Sequence, residues 1–365
     1  MNKIIAKKVS MLELFYDLVF VYAVAKMTAM IHHPHHGGLS LTTYLQFVLV
    51  VIVIIQVWLY QTVYINRFGM QRAFDRGGLL VTMFAMISVA NNINTDWTVT
   101  FQSFNQAMLV IIVALFIQYF LGVSQTERKK LDVRAFLGIL SLEALLIASG
   151  VFLGYTHGLY FVEAGYLVGF LAPLVIYRSF AAENVNFPHL VERLSLLIII
   201  TFGEAVVNIT SYFKGTLFAP ASILVFLLLL TLFGTYTLQI EELSDHHQQT
   251  RGFTLMYSHA LLILSLLTLT VSVLFITETT FSRDFLFRIT ILSLLGFYLG
   301  TFSNSVYNKA KYRLQLKDLL WFLVIFCLGC LGLFWQKNDP LGFLSLLTLL
   351  CGAEYGYTLF RQQKG

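Results

Sequence analysis

Charged side chains are scarce in this chain of 365 residues. Lys, Arg, Asp and Glu together account for 12% of it, whereas 58% of its residues are hydrophobic and 15% are aromatic. Soluble domains carry about 25% charged residues, so a soluble fold of this composition would expose far too much apolar surface. The shortage of charge therefore excludes a soluble protein and predicts an all-α polytopic membrane protein.

Cysteine and the common catalytic motifs are also scarce. Cys327 and Cys330 form a C-L-G-C pair, but no second Cys or His pair stands at the spacing of a zinc site. We interpret these residues, and Cys351, as small packing side chains. The sequence contains no nucleotide-binding glycine motif, no H-E-x-x-H and no nucleophile elbow. It therefore predicts no catalytic residues, no metal and no cofactor.

Long apolar segments fill most of the chain. A spanning helix needs about 20 mostly apolar residues, and twelve segments satisfy this requirement. They are 11–31, 42–65, 77–95, 102–123, 134–154, 158–178, 190–212, 217–239, 253–276, 285–304, 316–335 and 340–360. The connections between them are too short to hold a soluble domain.

Lys and Arg are distributed unevenly between the connections. Of the 24 Lys and Arg residues, 19 fall on alternate connections, the segment ends beside them and both chain ends, four fall on or beside the other connections, and Lys26 lies deeper inside the first segment. The positive-inside rule then places both termini in the cytoplasm. This bias accounts for the net charge of +5 without a nucleic-acid partner. We expect the lipid bilayer and a small ion or solute as partners. The sequence leaves open whether the chain forms a homo-oligomer.

Two pairs of stretches recur at about half the chain length. "SMLELFYDL" in the first segment and "HLVERLSLL" in the seventh place Glu13 and Glu192 in register. "RGGLLVTMFA", from Arg76, and "RGFTLMYSHA", from Arg251, open the third and ninth segments. Parallel repeats of this kind occur in transporters. The pattern predicts two six-helix repeats of the same orientation, 1–182 and 183–365.

Charges inside apolar segments mark candidate sites, because each costs about 2.5–3.5 kcal/mol at a helix centre on insertion scales. Glu13 and Asp17 are four residues apart and share one helical face. Arg76, Arg193 and Arg251 stand at predicted cytoplasmic helix ends, where they could offset the repulsion between the two acids. The pair indicates a polar vestibule or ion pathway; the alternative is two acids that complement the helix dipole.

Lys26 and Glu204 fall at nearly the same depth of the equivalent first and seventh helices. We expect a salt bridge between them. Glu204, Asn208 and Ser211 form a stripe at i, i+4 and i+7, which is typical of a helix face that lines a cavity. His259 is a candidate proton relay, with a packed, satisfied histidine as the alternative.

The predicted ion or substrate pathway therefore has nine members. They are Glu13, Asp17, Lys26, Arg76, Glu192, Arg193, Glu204, Asn208 and His259. Glu143, Glu163 and Glu354 are further acids in apolar segments. The loop "HHPHHGG" could bind a metal ion or respond to pH, or it could be a polar turn.

Four of these motifs resemble those of the low temperature requirement A family of bacterial membrane proteins. They are "LELFYDLVFVYAVAKMT", "NRFGMQRAFDRGG", "PHLVERLSLLIIITFGEAVV" and "RGFTLMYSHALL". The family usually has Phe-Phe-Asp where this chain has Phe15-Tyr16-Asp17. The resemblance implies a multi-pass protein of the bacterial plasma membrane that is linked by name to growth in the cold, and it supplies no substrate.

The first segment is also similar to that of the lysosomal and bacterial potassium/proton channels. Their first helix carries the pattern E-x-F-S-D-x-V-F, which Glu13, Phe15, Asp17, Val19 and Phe20 match, with a Tyr in place of the Ser. Those channels are also built from six-helix units. The similarity covers one helix, so it is an analogy at the level of the fold.

These patterns favour a transporter or channel for a small ion or solute, with or without a link to protons, rather than an enzyme. An integral membrane enzyme or lipid-handling protein, with acids and histidines at the cytoplasmic face, is the alternative. A membrane-embedded sensor or scaffold is a third interpretation.

Overall fold

The computed structural model describes residues 4–32, 37–69, 72–122, 130–213, 218–278 and 280–364. Across these residues the chain is helical, without a β-strand. The helices are α1 (Met11–Ala29), α2 (Leu41–Phe68), α3 (Ala73–Asn91), α4 (Trp97–Gly122), α5 (Lys130–Val175), α6 (Phe187–Ile209), α7 (Pro220–Thr237), α8 (Phe253–Leu274), α9 (Arg283–Ser303), α10 (Leu316–Trp335) and α11 (Pro340–Lys364).

Within the described ranges, nine helices are long and apolar enough to cross a membrane. This confirms a helical protein with several membrane-spanning segments. α1 and α6 are not among the nine, and each carries three charged residues. α5 counts once, although the sequence predicts two helices there. The twelve-helix count and the cytoplasmic termini stay predictions.

α5 consists of two helical segments that meet at a glycine. Gly154 has φ +74° and non-helical dihedral angles, so it divides the 46 residues into two segments, 130–153 and 155–175. The backbones of the two segments approach closely at Gly150 and Gly158, because a Cβ on Gly158 would collide with the carbonyl oxygen of Gly150. Small residues of this kind allow close helix packing in membranes.

Side-chain caps determine where α1 and α3 begin. Ser10 is the N-cap of α1, and it forms a capping box with Glu13. Arg72 precedes α3, where Asp75 accepts a hydrogen bond from its backbone N–H over 3.0 Å. Asp75 also forms an ion pair of 2.9 Å with the Arg72 side chain. α3 therefore begins four residues before the predicted segment 77–95.

The chain divides into two compact units. Unit 1 comprises 1–30, 41–196 and 247–256, and unit 2 comprises 31–40, 197–246 and 257–365. One division between the units falls within α6, after Leu196. The two six-helix repeats stay a prediction, because compactness does not measure internal similarity.

α2 is the central helix of unit 1. In its most apolar stretch 83% of the residues are buried, compared with 44% in α3 and 50% in α4. α1 packs against α2 and α3, α4 packs against α3, and α5 packs against α2 and α4. α2 nevertheless carries several polar residues, and these position the site described below.

In unit 2, α11 packs against α7 and α10, and α10 also contacts α9. α8 is its most buried helix, with 78% of its apolar stretch inside. α7 continues into a π-helical turn, Leu238–Leu243. Gln239 in this turn donates a hydrogen bond of 2.6 Å to the side chain of Asn308, which fixes the end of the helix against the segment that follows α9.

Candidate functional site

A buried arginine joins two acids in unit 1. Arg193 of α6 donates from Nη1 to Oε2 of Glu13 over 3.1 Å and from Nη2 to Oδ1 of Asp17 over 2.7 Å. All three side chains are buried. The spacing of four residues on α1 places both carboxylates on one face, and the two ends of one guanidinium reach both of them. We call Glu13, Asp17, Trp58, His189 and Arg193 the Arg193 cluster.

Both oxygens of Glu13 are occupied. Oε1 accepts hydrogen bonds from the backbone N–H and the hydroxyl of Ser10, over 3.1 and 2.9 Å. Oε2 contacts Arg193 and, over 3.0 Å, Nε2 of His189. Glu13 therefore caps α1 and binds α6 at the same time.

The side-chain amide of Asn66 determines the tautomer of His189. Asn66 accepts the backbone N–H of Asn186 through Oδ1 over 2.9 Å and donates through Nδ2 to the carbonyl of Asn186 over 2.8 Å, which fixes the orientation of its amide. That same Nδ2 lies 3.0 Å from Nδ1 of His189. Nδ1 must then accept, so the neutral imidazole carries its proton on Nε2 and donates it to Glu13.

Asp17 has a different environment from Glu13. Its Oδ1 accepts from Arg193 and, over 2.8 Å, from the indole nitrogen of Trp58. Its Oδ2 has no hydrogen-bond partner among the described residues, and neither has the hydroxyl of Tyr16, the preceding residue. The guanidinium of Arg193 also lies 5.3 Å from the ring centroid of Trp58. Asp17 is thus held through one oxygen, while the other is available.

The charges of the Arg193 cluster do not balance. Two carboxylates face one guanidinium, and the imidazole is neutral in the tautomer that Asn66 imposes. Taking charges out of water costs several kcal/mol per ion, so an excess of one negative charge favours the uptake of a proton or a cation. Oδ2 of Asp17 accepts no hydrogen bond from the described residues, so it is the atom at which such a proton or cation would bind.

Other predicted site residues of unit 1 lie outside the cluster. Glu192 and Arg76 are exposed on α6 and α3. Lys26 is half-buried, and its Nζ lies 5.5 Å from the ring centroid of Tyr22 on the same helix. Arg251 donates from Nε to the carbonyl of Phe180 over 2.5 Å. Of the three arginines considered as partners of Glu13, the structure uses Arg193.

The remaining predicted site residues belong to unit 2. Glu204 and Asn208 are half-buried, and Asn208 donates from Nδ2 to Oε1 of Glu204 over 2.8 Å. His259 is buried, with Nε2 2.9 Å from the hydroxyl of Tyr236. Lys26 lies in unit 1 and Glu204 in unit 2, and their salt bridge stays a prediction.

Three members of the site region were not singled out from the sequence. His189 stands four residues before Arg193, so the two share a face of α6, and this spacing could have revealed it. Trp58 and Asn66 are two helical turns apart on α2 and contact Asp17 and His189. No pattern in α2 distinguishes them from packing residues.

The described residues contain no group of three or more His, Cys, Asp or Glu side chains arranged to hold a metal ion. His33, His35 and His36 of the predicted outer loop lie outside the described residues.

Comparison with known proteins identifies the family. The family model described as bacterial low temperature requirement A protein (LtrA) matches residues 8–351, which is most of the chain and includes the whole Arg193 cluster. No curated protein matches the chain. The resemblance in the four motifs is confirmed, and the chain belongs to the bacterial low temperature requirement A (LtrA) family of membrane proteins.

Proposed function

We propose that this protein is a transporter or channel for a small ion or solute in the bacterial plasma membrane, with movement linked to protons. The observation that carries the proposal is the Arg193 cluster, in which two buried acids share one arginine. An intramembrane charge is rare, and it usually marks an ion or substrate pathway.

The excess acid argues for a role beyond architecture. A structural ion pair needs one acid for one arginine, and Glu13 with Arg193 would supply it. Asp17 adds a second carboxylate with a free oxygen. We assign to Asp17 the exchange of a proton or a cation, and to Glu13 and His189 the positioning of Arg193.

Flux measurements on reconstituted protein test the proposal. Purified full-length chain in lipid vesicles should dissipate an imposed pH or potassium gradient faster than protein-free vesicles, and Asp17→Asn should lower this flux. Asp96→Asn provides a matched control, because it makes the same change at an exposed residue whose carboxylate accepts hydrogen bonds from the nearby Thr98.

A different outcome would favour the alternative function. Vesicles that show no flux of any tested ion, together with cleavage of a lipid-linked substrate by the same preparation, would indicate an integral membrane enzyme. Asp17→Asn would then be assayed for loss of that cleavage.

A further inference from the structure

A second buried acid lies in unit 1, apart from the Arg193 cluster. Glu143, in the first segment of α5, is fully buried. Its Oε1 accepts a hydrogen bond of 2.6 Å from Nε2 of Gln56, on α2. No ion pair joins Glu143 to any described cation. Burying an unpaired carboxylate has a large free-energy cost, and groups of this kind usually become neutral by binding a proton.

The unpartnered atoms of the pair are complementary. Oε2 of Glu143 and Oε1 of Gln56 are both buried, and each lacks a hydrogen-bond partner in the described structure. Both atoms are acceptors while Glu143 is ionised, so neither can satisfy the other. A proton on Oε2 of Glu143 makes it a donor, and a donor is what the amide oxygen of Gln56 lacks.

Glycine holds the pair against the second segment of α5. A Cβ on Gly169 would collide with both Nε2 of Gln56 and Oε2 of Glu143. A Cβ on Gly165 would lie 3.4 Å from the carbonyl oxygen of Glu143. The two functional groups therefore sit in a space that glycine leaves open between helices, where displacing them would need a movement of the backbone.

A cavity lies one helical turn away from the pair. It encloses about 460 Å³ of empty space, including space open to solvent, and Val53 and Tyr166 are among its lining residues. Gln56 follows Val53 by three residues on α2, and Gly169 follows Tyr166 by three on α5, a rise of about 4.5 Å. The cavity is also lined by polar residues, among them Asn105, which accepts a hydrogen bond of 2.6 Å from the hydroxyl of Tyr166.

We infer that Glu143 and Gln56 form a proton-binding site, in which a protonated Glu143 and the amide of Gln56 close two reciprocal hydrogen bonds. The proton comes from water in the cavity, forms an O–H bond at Oε2 of Glu143, and returns to water when the site empties. Among the described residues, Gln56 from α2 and the phenol of Tyr166 from the second segment of α5 face Glu143, and neither side chain is a charged type. The site does not depend on the chain being a transporter.

Infrared difference spectroscopy of the full-length protein in lipid tests this inference. The carbonyl stretch of a protonated carboxyl lies apart from the amide bands, and the wild-type protein should show such a band at neutral pH. Glu143→Gln should remove the contribution of Glu143 to it, because the glutamine retains both hydrogen bonds but carries no carboxyl. Glu163→Gln is the matched control, since Glu163 is a half-buried acid of the cavity wall, and it should leave the band in place.

The carboxyl bands of the wild type and the variants either support or contradict the proton-binding site. Loss of a carboxyl band in Glu143→Gln alone supports the site. A wild-type spectrum with no such band, or a band of undiminished intensity in Glu143→Gln, overturns it. If Glu143→Gln does not yield folded protein, Glu143→Asp replaces it; the site predicts a shifted carboxyl band, and an unshifted band contradicts the assignment.

Discussion

Nη2 of Arg193 donates to Oδ1 of Asp17 over 2.7 Å, with both side chains buried. The same guanidinium holds Glu13 through Nη1, so one cation orders two acids on α1. The arrangement explains why an apolar segment carries two acids four residues apart. Together the two carboxylates bind the two terminal nitrogens of one planar guanidinium group.

Loss of the arginine should be severe. Arg193→Gln leaves two carboxylates buried without their cation, and breaking a buried pair costs about 3–5 kcal/mol. We expect the free energy of unfolding in detergent to fall by about this amount. Arg178→Gln makes the same change at an exposed arginine of unit 1 and should cost less than about 1 kcal/mol; equal losses in the two variants would count against a buried ion pair.

Removing the surplus acid should partly repair that loss. In the Arg193→Gln background, Asp17→Asn takes away one stranded charge, so the double variant should be more stable than Arg193→Gln alone. A double-mutant cycle of unfolding free energies measures the coupling, which we expect to exceed about 1 kcal/mol for residues in direct contact. Strict additivity would mean that the two side chains do not interact.

The tautomer of His189 gives a spectroscopic prediction. Because Asn66 donates to Nδ1, nitrogen NMR of the labelled protein should show His189 with a protonated Nε2 and an unprotonated Nδ1. Asn66→Asp substitutes an acceptor for the donor and should move the proton to Nδ1 or protonate both nitrogens. An unchanged spectrum in Asn66→Asp would show that Asn66 does not determine the tautomer.

Two glycines of α5 should respond in opposite ways to alanine. Gly169→Ala forces a methyl group into Gln56 and Glu143, and overpacking of this kind costs about 1–3 kcal/mol. Gly138→Ala, on the same helix, meets nothing within 4 Å and should stabilise the protein by about 0.5–1 kcal/mol, as alanine favours a helix interior. Thermal unfolding of both variants checks the contrast, and a stabilising Gly169→Ala would contradict the close packing.

The sequence was sufficient to predict the fold class and the family. Long apolar segments are a local property, and the structure confirms many of them as helices. It also indicated that a nearby arginine could offset the repulsion between Glu13 and Asp17. It could not choose between Arg76, Arg193 and Arg251, because that choice depends on how α1 and α6 pack, and hydrophobic periodicity does not encode it.

The pairing of Glu13 with Glu192 illustrates a further limit. Register in sequence predicted equivalent roles, whereas the structure buries Glu13 and exposes Glu192. The residue beside Glu192, Arg193, points inward and binds Glu13 itself. A shift of one residue rotates a side chain by about 100° around a helix, so alignment alone does not determine which of two neighbours enters the core. Gln56 and Glu143 were separated by 87 positions, with no local signal connecting them.

Ion flux through reconstituted vesicles is the decisive measurement for the role of Asp17. Wild-type protein, Asp17→Asn and Asp96→Asn should be incorporated at equal amounts and challenged with a pH gradient and with a potassium gradient. We predict flux in the wild type and in Asp96→Asn. In Asp17→Asn the flux should decrease by about tenfold or more, because removing an ionisable group on the pathway removes a binding step. Equal flux in all three preparations, or none in the wild type, would contradict it.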